Sequence, residues 1–146
     1  MSDYLDLAIK LSENSEGGPF GAVVVKDDYI IGCGSNNVVN SYDPTAHAEV
    51  NAIRSACKYI KNHNLNGCVL YSSCEPCPMC LSASYWSGIE KIIYANDRHL
   101  AEEIGFNDKF IYEEFRLPHK DKKVKLTHLP SKEAEIIMKK WSGRLY

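Results

Sequence analysis

Residues 68–96, CVLYSSCEPCPMCLSASYWSGIEKIIYAN, decide the fold. Cys68 to Ser73 reads as a strand, Pro76 to Ser87 as a helix that opens on proline and closes at Gly88, and Lys91 to Ala95 as the next strand. Strand, helix and strand at this spacing call for a right-handed crossover and parallel pairing, with a helix lying on one face of the sheet.

Working outward, Phe20 to Lys26 is apolar at nearly every position and carries three valines, which is the pattern of a strand buried on both faces. Asp27-Asp28 turns it into Tyr29 to Gly34 as a hairpin. Ahead of it, Leu5, Ala8, Ile9 and Ser12 mark an amphipathic helix from Asp3 to Ser15, stopped by Gly17-Gly18-Pro19. Asn36-Asn37 to Asp43-Pro44 is a polar loop. It leads into a helix from about Thr45, its expected cap, to Ile60, with Glu49, Ala52, Ile53, Ala56, Cys57 and Ile60 along one stripe. Downstream, Asp97 to Ile104 and Asn107 to Phe115 read as helices, Val124 to His128 as a short edge strand and Ser131 to Trp141 as a last helix. The expected architecture is α/β: a single domain over residues 1–146, a three-layer α/β/α sandwich around a mixed five-stranded sheet.

Composition narrows the function. Among 146 residues, 45% are hydrophobic and 25% charged, which excludes disordered and fibrous classes. The longest unbroken aliphatic run, Ala22 to Val25, is far short of the ~20 residues a membrane helix needs. The start Met1-Ser2-Asp3-Tyr4 has neither a basic region nor an apolar signal core, so a cytoplasmic location is expected. Seventeen Lys and Arg against 19 Asp and Glu lack the global positive field that draws proteins onto phosphate backbones, which disfavours nucleic acid as a partner. The basic run of Lys120, Lys122, Lys123 and Lys125 reads as a solvated face. In a reducing compartment, six cysteines point to metal or catalysis before disulfides. Cys33, Cys57 and Cys68 fall in apolar segments and are expected to be small buried packing residues, while His63, His99, His119 and His128 read as surface residues.

Two segments carry the chemistry, His47-Ala48-Glu49 and Pro76-Cys77-Pro78-Met79-Cys80. They spell the H-x-E and P-C-x-x-C signature of zinc deaminases. Cysteines at i and i+3 near a helix N-terminus share a face, and the unpaired N–H groups there favour thiolates. A neutral His47 imidazole completes three ligands that suit zinc and leave one position open for water. Glu49, two residues on, lies within reach of that water as a proton carrier. The competing reading is a closed structural zinc site made of Cys74, Cys77, Cys80 and His47. Against it, a helix starting at Pro76 leaves Cys74 in the strand-to-helix turn, and a purely structural site gives Glu49 no task.

The sequence resembles the cytidine deaminase-like superfamily, and most closely the bacterial guanine deaminases of that fold. The resemblance runs from about Leu5 to Phe115 and rests on GGPFGAVVVKD from Gly17, NN at Asn36, DPTAHAEVNAIR from Asp43, SCEPCPMCLSASYW from Ser73 and GFNDKFIYEE from Gly105. It implies one zinc ion per subunit held by His47, Cys77 and Cys80, with Glu49 transferring protons in the hydrolysis of guanine to xanthine and ammonia. It also implies that Asn36 hydrogen-bonds the base, that Phe20 and Trp86 wall a flat pocket and that Asp108 reads the N–H edge of guanine. In these relatives the C-terminal segment, about residues 117–146 here, is exchanged within a homodimer and the terminal tyrosine, Tyr146 here, helps to cover the site. A tRNA adenosine deaminase is expected to show LEPCxMC and a basic surface, where this chain has CEPCPMC and a slightly negative charge. That activity and a cytosine or nucleoside deaminase of the same superfamily are the alternative enzyme readings.

Overall fold

The computed structural model describes residues 3–144, which form two compact units divided between Tyr112 and Glu113. The first contains α1 (Asp3–Glu13), β1 (Gly21–Lys26), β2 (Tyr29–Ser35), α2 (Val38–Ser41), α3 (Ala48–Ile60), β3 (Cys68–Cys74), α4 (Pro78–Ser87), β4 (Lys91–Asn96) and α5 (Arg98–Glu103). Helix α6 (Lys109–Arg116) runs across the division, and the second unit adds a single 3-10 turn, His119–Asp121, and α7 (Lys132–Lys139).

The sheet has the order β2-β1-β3-β4, with β1 antiparallel to both β2 and β3, and β3 parallel to β4. The parallel pair is the crossover expected from residues 68–96. Asp27 and Asp28 take φ of 49° and 66°, the left-handed turn whose twist matches a tight hairpin. One face of the sheet packs Val23, Val25 and Tyr71 against Ala8, Leu7 and Leu11 of α1. The other packs Ala22, Val24 and Leu70 against Ala48, Ala52 and Ala56 of α3. Helices therefore cover both faces of the first unit, and small side chains let α3 approach closely. A Cβ on Gly32 would lie 2.5 Å from the Ala52 carbonyl oxygen, and one on Gly34 would collide with the Ala48 carbonyl.

Several expectations are corrected. Among the described residues the sheet has four strands, because 124–128 forms none. Val124 is 77% exposed and the second unit offers no other strand, so β propensity there meets neither a hydrogen-bonding partner nor a covered face. Helix α3 begins at Ala48 with His47 in the capping position, and Thr45 is not its cap. The Thr45 N–H and hydroxyl both donate instead to Asp43 Oδ1, at 2.8 and 2.6 Å, a local turn that competes with helix. Helix α4 begins at Pro78 rather than Pro76: Cys77 precedes a proline and is held extended at φ −67°, ψ 170°, so helical geometry starts one residue later. The loop after Asn36 contains the short helix α2. Cys33 is exposed, since Gly32 and Gly34 face α3 and the residue between them on an edge strand must face the opposite way. Cys68 is buried and Cys57 half-buried against the core, and the four histidines other than His47 are exposed.

Candidate active site

Two helix N-termini meet at one point. His47 caps α3, Cys77 caps α4 and Cys80 lies in the first turn of α4. His47 Nδ1 stands 3.5 Å from the Sγ atoms of both Cys77 and Cys80, and the three ligand atoms lie within 4.8 Å of one another. Zinc with bonds of ~2.3 Å to sulfur and ~2.0 Å to nitrogen in tetrahedral geometry sets N···S separations of about 3.5 Å, so the donors fit that ion without rearrangement. A three-ligand set leaves the fourth position open, as a catalytic site does.

The electrostatics agree. A hydrogen bond from Cys80, with a second contribution from His47, pulls the Cys77 thiol down to about 4 against the opposing effect of burial. The Cys80 thiol is pushed upward because it shares its proton with Cys77. Cys74 behaves differently: its buried Sγ stands 3.8 Å from the Asp97 carbonyl oxygen, and burial raises its thiol to about 11. Among the described residues it is not part of the ligand group, so the four-ligand structural site is not formed.

Beside the ligands lies a cavity of about 460 Å³. Glu49, in the first turn of α3 and only 6% exposed, lines it, and burial above all raises its carboxyl to about 7. Phe20 and Phe106 form one wall, edge to face at 4.9 Å between ring centres. Asn36 is buried at the rim, where its Oδ1 accepts from the Val38 N–H at 3.0 Å, leaving its NH2 as the group to offer a ligand. Its backbone oxygen accepts from Gly17 N–H at 3.2 Å and from the Ser15 hydroxyl at 2.8 Å, so the double glycine supports the amide from behind. Asp108, half-buried at the start of α6, also lines the cavity, and its carboxyl is raised chiefly by burial.

The structure thus brings Phe20, Asn36, His47, Glu49, Cys77 and Asp108 to one cavity, with Cys80 in contact behind them. Trp86 is corrected: it lies on α4, is 75% exposed and does not line the cavity. The α4 face that carries Cys80 turns inward, and a residue six positions on, about 600° around the helix, cannot share that face. Tyr146 lies outside the described residues. Sequence reasoning missed Glu75 and Phe106, which line the cavity as well. Phe106 stands two residues from Asp108, an aromatic beside a cavity-lining carboxylate, and that adjacency was the available signal. In the second unit, the basic run is tied locally, with the Lys122 ammonium donating to the Leu117 carbonyl and the Lys125 ammonium to the Lys120 carbonyl at 3.4 Å. Among the described residues no helix is long and apolar enough to cross a membrane.

Comparison with known proteins gives the same picture. The family described as "Cytidine and deoxycytidylate deaminase zinc-binding region" matches residues 1–96. Guanine deaminase of Bacillus subtilis is 55% identical over 108 residues, 74% of this chain and 69% of that protein. Its crystal structure superposes with a TM-score of 0.93 at 44% identity, covering 98% of this chain and 95% of the other. A guanine deaminase structure from Nitrosomonas europaea gives 0.69 at 32% identity over 72% of this chain and 63% of that one. The tRNA-specific adenosine deaminase of Aquifex aeolicus is 38% identical over 129 residues, 87% of this chain and 82% of that protein.

Proposed function

Because this chain belongs to the cytidine and deoxycytidylate deaminase family, we propose that it is a zinc-dependent hydrolase converting guanine to xanthine and ammonia. The observation that carries the proposal is the meeting of the His47–Cys77–Cys80 donor group with a cavity lined by the buried Glu49 and the polar side chains of Asn36 and Asp108. The identity to a guanine deaminase exceeds that to the tRNA-specific enzymes, and the net charge of −2 favours a free base over a polyanion.

His47, Cys77 and Cys80 hold the zinc ion, which when bound supplies Lewis acidity that lowers the pKa of water toward neutrality. Glu49 accepts a proton from the attacking water, which forms the new C–O bond at the ring carbon bearing the amino group. It passes that proton to a ring nitrogen, then takes the second proton from the new hydroxyl and gives it to the departing nitrogen, so that the C=O bond forms as the C–N bond breaks and ammonia leaves. A carboxyl raised to about 7 suits that exchange, since it gives and takes protons near neutral pH. Asn36 donates its NH2 to a ring acceptor, and Asp108 accepts from ring N–H groups that would otherwise be desolvated without a partner, at a cost of ~1–3 kcal/mol. Phe20 and Phe106 press on the flat base and keep water out.

We further propose that the protein is a cytoplasmic homodimer in which the C-terminal segment is exchanged and Tyr146 covers the partner's site. On the second unit Ile136, Ile137, Met138 and Trp141 are all half exposed or more, and α4 of the first unit presents Tyr85 and Trp86 to solvent. Apolar surface of this extent is what a second subunit covers. Analytical ultracentrifugation tests it, and a monomer at micromolar concentration overturns it. For the reaction, the purified protein is incubated separately with guanine, adenine, cytosine and tRNA while ammonia and inosine are followed. Ammonia from guanine is expected; release from cytosine alone, or inosine in tRNA without action on guanine, refutes the substrate assignment.

A further inference from the structure

The helix that follows Asp108 is weakly anchored by packing, because none of the residues of α6 is fully buried. Something else must hold that carboxylate at a set distance from the metal ligands. Asp108 precedes the helix, and its carbonyl accepts from the N–H groups of Ile111 at 3.0 Å and Tyr112 at 3.4 Å, so its backbone is part of the first turn. Tyr112 is four residues on and therefore on the same face of that turn. Its hydroxyl donates to the carbonyl of Pro76 at 3.2 Å, one residue before the ligand Cys77.

We propose that Tyr112 is a positioning residue that ties Asp108 to the loop carrying Cys77 and thereby sets how tightly the base is held. A second link runs the same way. The Arg98 guanidinium stacks on the Tyr112 ring, 4.6 Å from its centre, and the Arg98 N–H donates to Glu75 Oε1 at 3.1 Å, on the same loop. Glu75 N–H in turn donates to the Asn96 carbonyl at 2.7 Å, fastening the loop to the end of β4. Tyr112 sits between the helix start that follows Asp108 and the loop that bears Cys77, and it belongs neither to the cavity lining nor to the group of metal donors. It acts on binding through geometry, so its effect belongs in KM rather than in the proton-transfer step.

The inference rests on the reading of Asp108 as a base contact. Its test therefore uses the full-length zinc-loaded protein and whichever amino-bearing base the wild type deaminates, guanine first. Tyr112→Phe keeps the ring and its stacking and removes only the hydroxyl. Loss of one hydrogen bond is expected to raise KM by about threefold to tenfold, with kcat changed less and zinc content unchanged. In an Asp108→Asn background the same substitution should add nothing to KM, since the two residues act as one unit. An unchanged KM, a loss confined to kcat or zinc content, or a KM rise that persists undiminished in the Asp108→Asn background overturns the proposal. Should Asp108→Asn itself leave KM unaltered, the Asp108 contact falls and the role of Tyr112 with it. Turnover of a base other than guanine, with the Tyr112→Phe and Asp108→Asn pattern intact on that base, overturns only the guanine assignment.

Discussion

Replacing Gly34 with alanine tests whether the site depends on how closely β2 and α3 approach. A Cβ at position 34 collides with the Ala48 carbonyl, lies 2.6 Å from the Ala52 nitrogen and 2.8 Å from Asn51 Cβ. The first two neighbours are helix backbone and cannot rotate away. Relaxing the Ala52 contact to an ordinary ~3.4 Å displaces α3 by about 0.8 Å, and overpacking of this kind costs about 1–3 kcal/mol. For a chain of 146 residues that corresponds to a fall in Tm of roughly 3–10 °C. Ala48 stands between His47 and Glu49, so the displaced turn is the one that holds both of these cavity-lining side chains. Misplacement approaching 1 Å costs up to ~100-fold in rate. Gly32→Ala is the control: it meets Ala52 and Ala56, further along the helix, so it should lose similar stability with a smaller loss of turnover. Thermal unfolding and steady-state ammonia release at 25 °C measure both quantities. A Gly34→Ala protein with wild-type Tm and kcat, or a Gly32→Ala protein that loses more turnover than Gly34→Ala, refutes the reasoning.

Three further outcomes are expected. Glu49→Gln retains zinc by elemental analysis and loses about 10²–10⁴ in kcat, because proton transfer is removed and the ligands are untouched. Cys74→Ser keeps its zinc, whereas Cys80→Ser binds it weakly and regains no activity after chelation and zinc readdition; equal zinc loss in both would restore the four-ligand site. Asp108→Asn raises KM for guanine by roughly 5- to 100-fold, read from initial rates, since an amide cannot accept the full set of N–H groups that a carboxylate does.

The metal site was legible in the sequence because its spacing is local. Cys77 and Cys80 belong to one turn, and His47 and Glu49 to another, so each pair is placed by helical geometry alone. The boundaries were harder. Thr45 has the character of a cap but is drawn into a turn by Asp43, and Pro76 has the character of a helix start but yields to Pro78. In both cases one local hydrogen bond or one steric restriction decides between two competing signals. Trp86 was misassigned because helix composition does not say which face turns inward. Phe106 was overlooked because its partner, Phe20, is 86 positions away in the chain.

By itself the sequence determined the reagents: two thiols, an imidazole and a carboxylate at helix starts, in a chain whose slight negative charge disfavours a polyanion. Those properties depend on residue identity and on spacings of a few residues, over which backbone geometry leaves little choice. Only the tertiary structure decided which aromatic walls the cavity, that Cys74 is a buried thiol outside the donor group, that the sheet stops at four strands among the described residues, and that the Tyr112 hydroxyl reaches the Pro76 carbonyl. Each of these depends on contacts between segments far apart in the chain, where burial and the partner met across the sheet set the outcome and local pattern is silent.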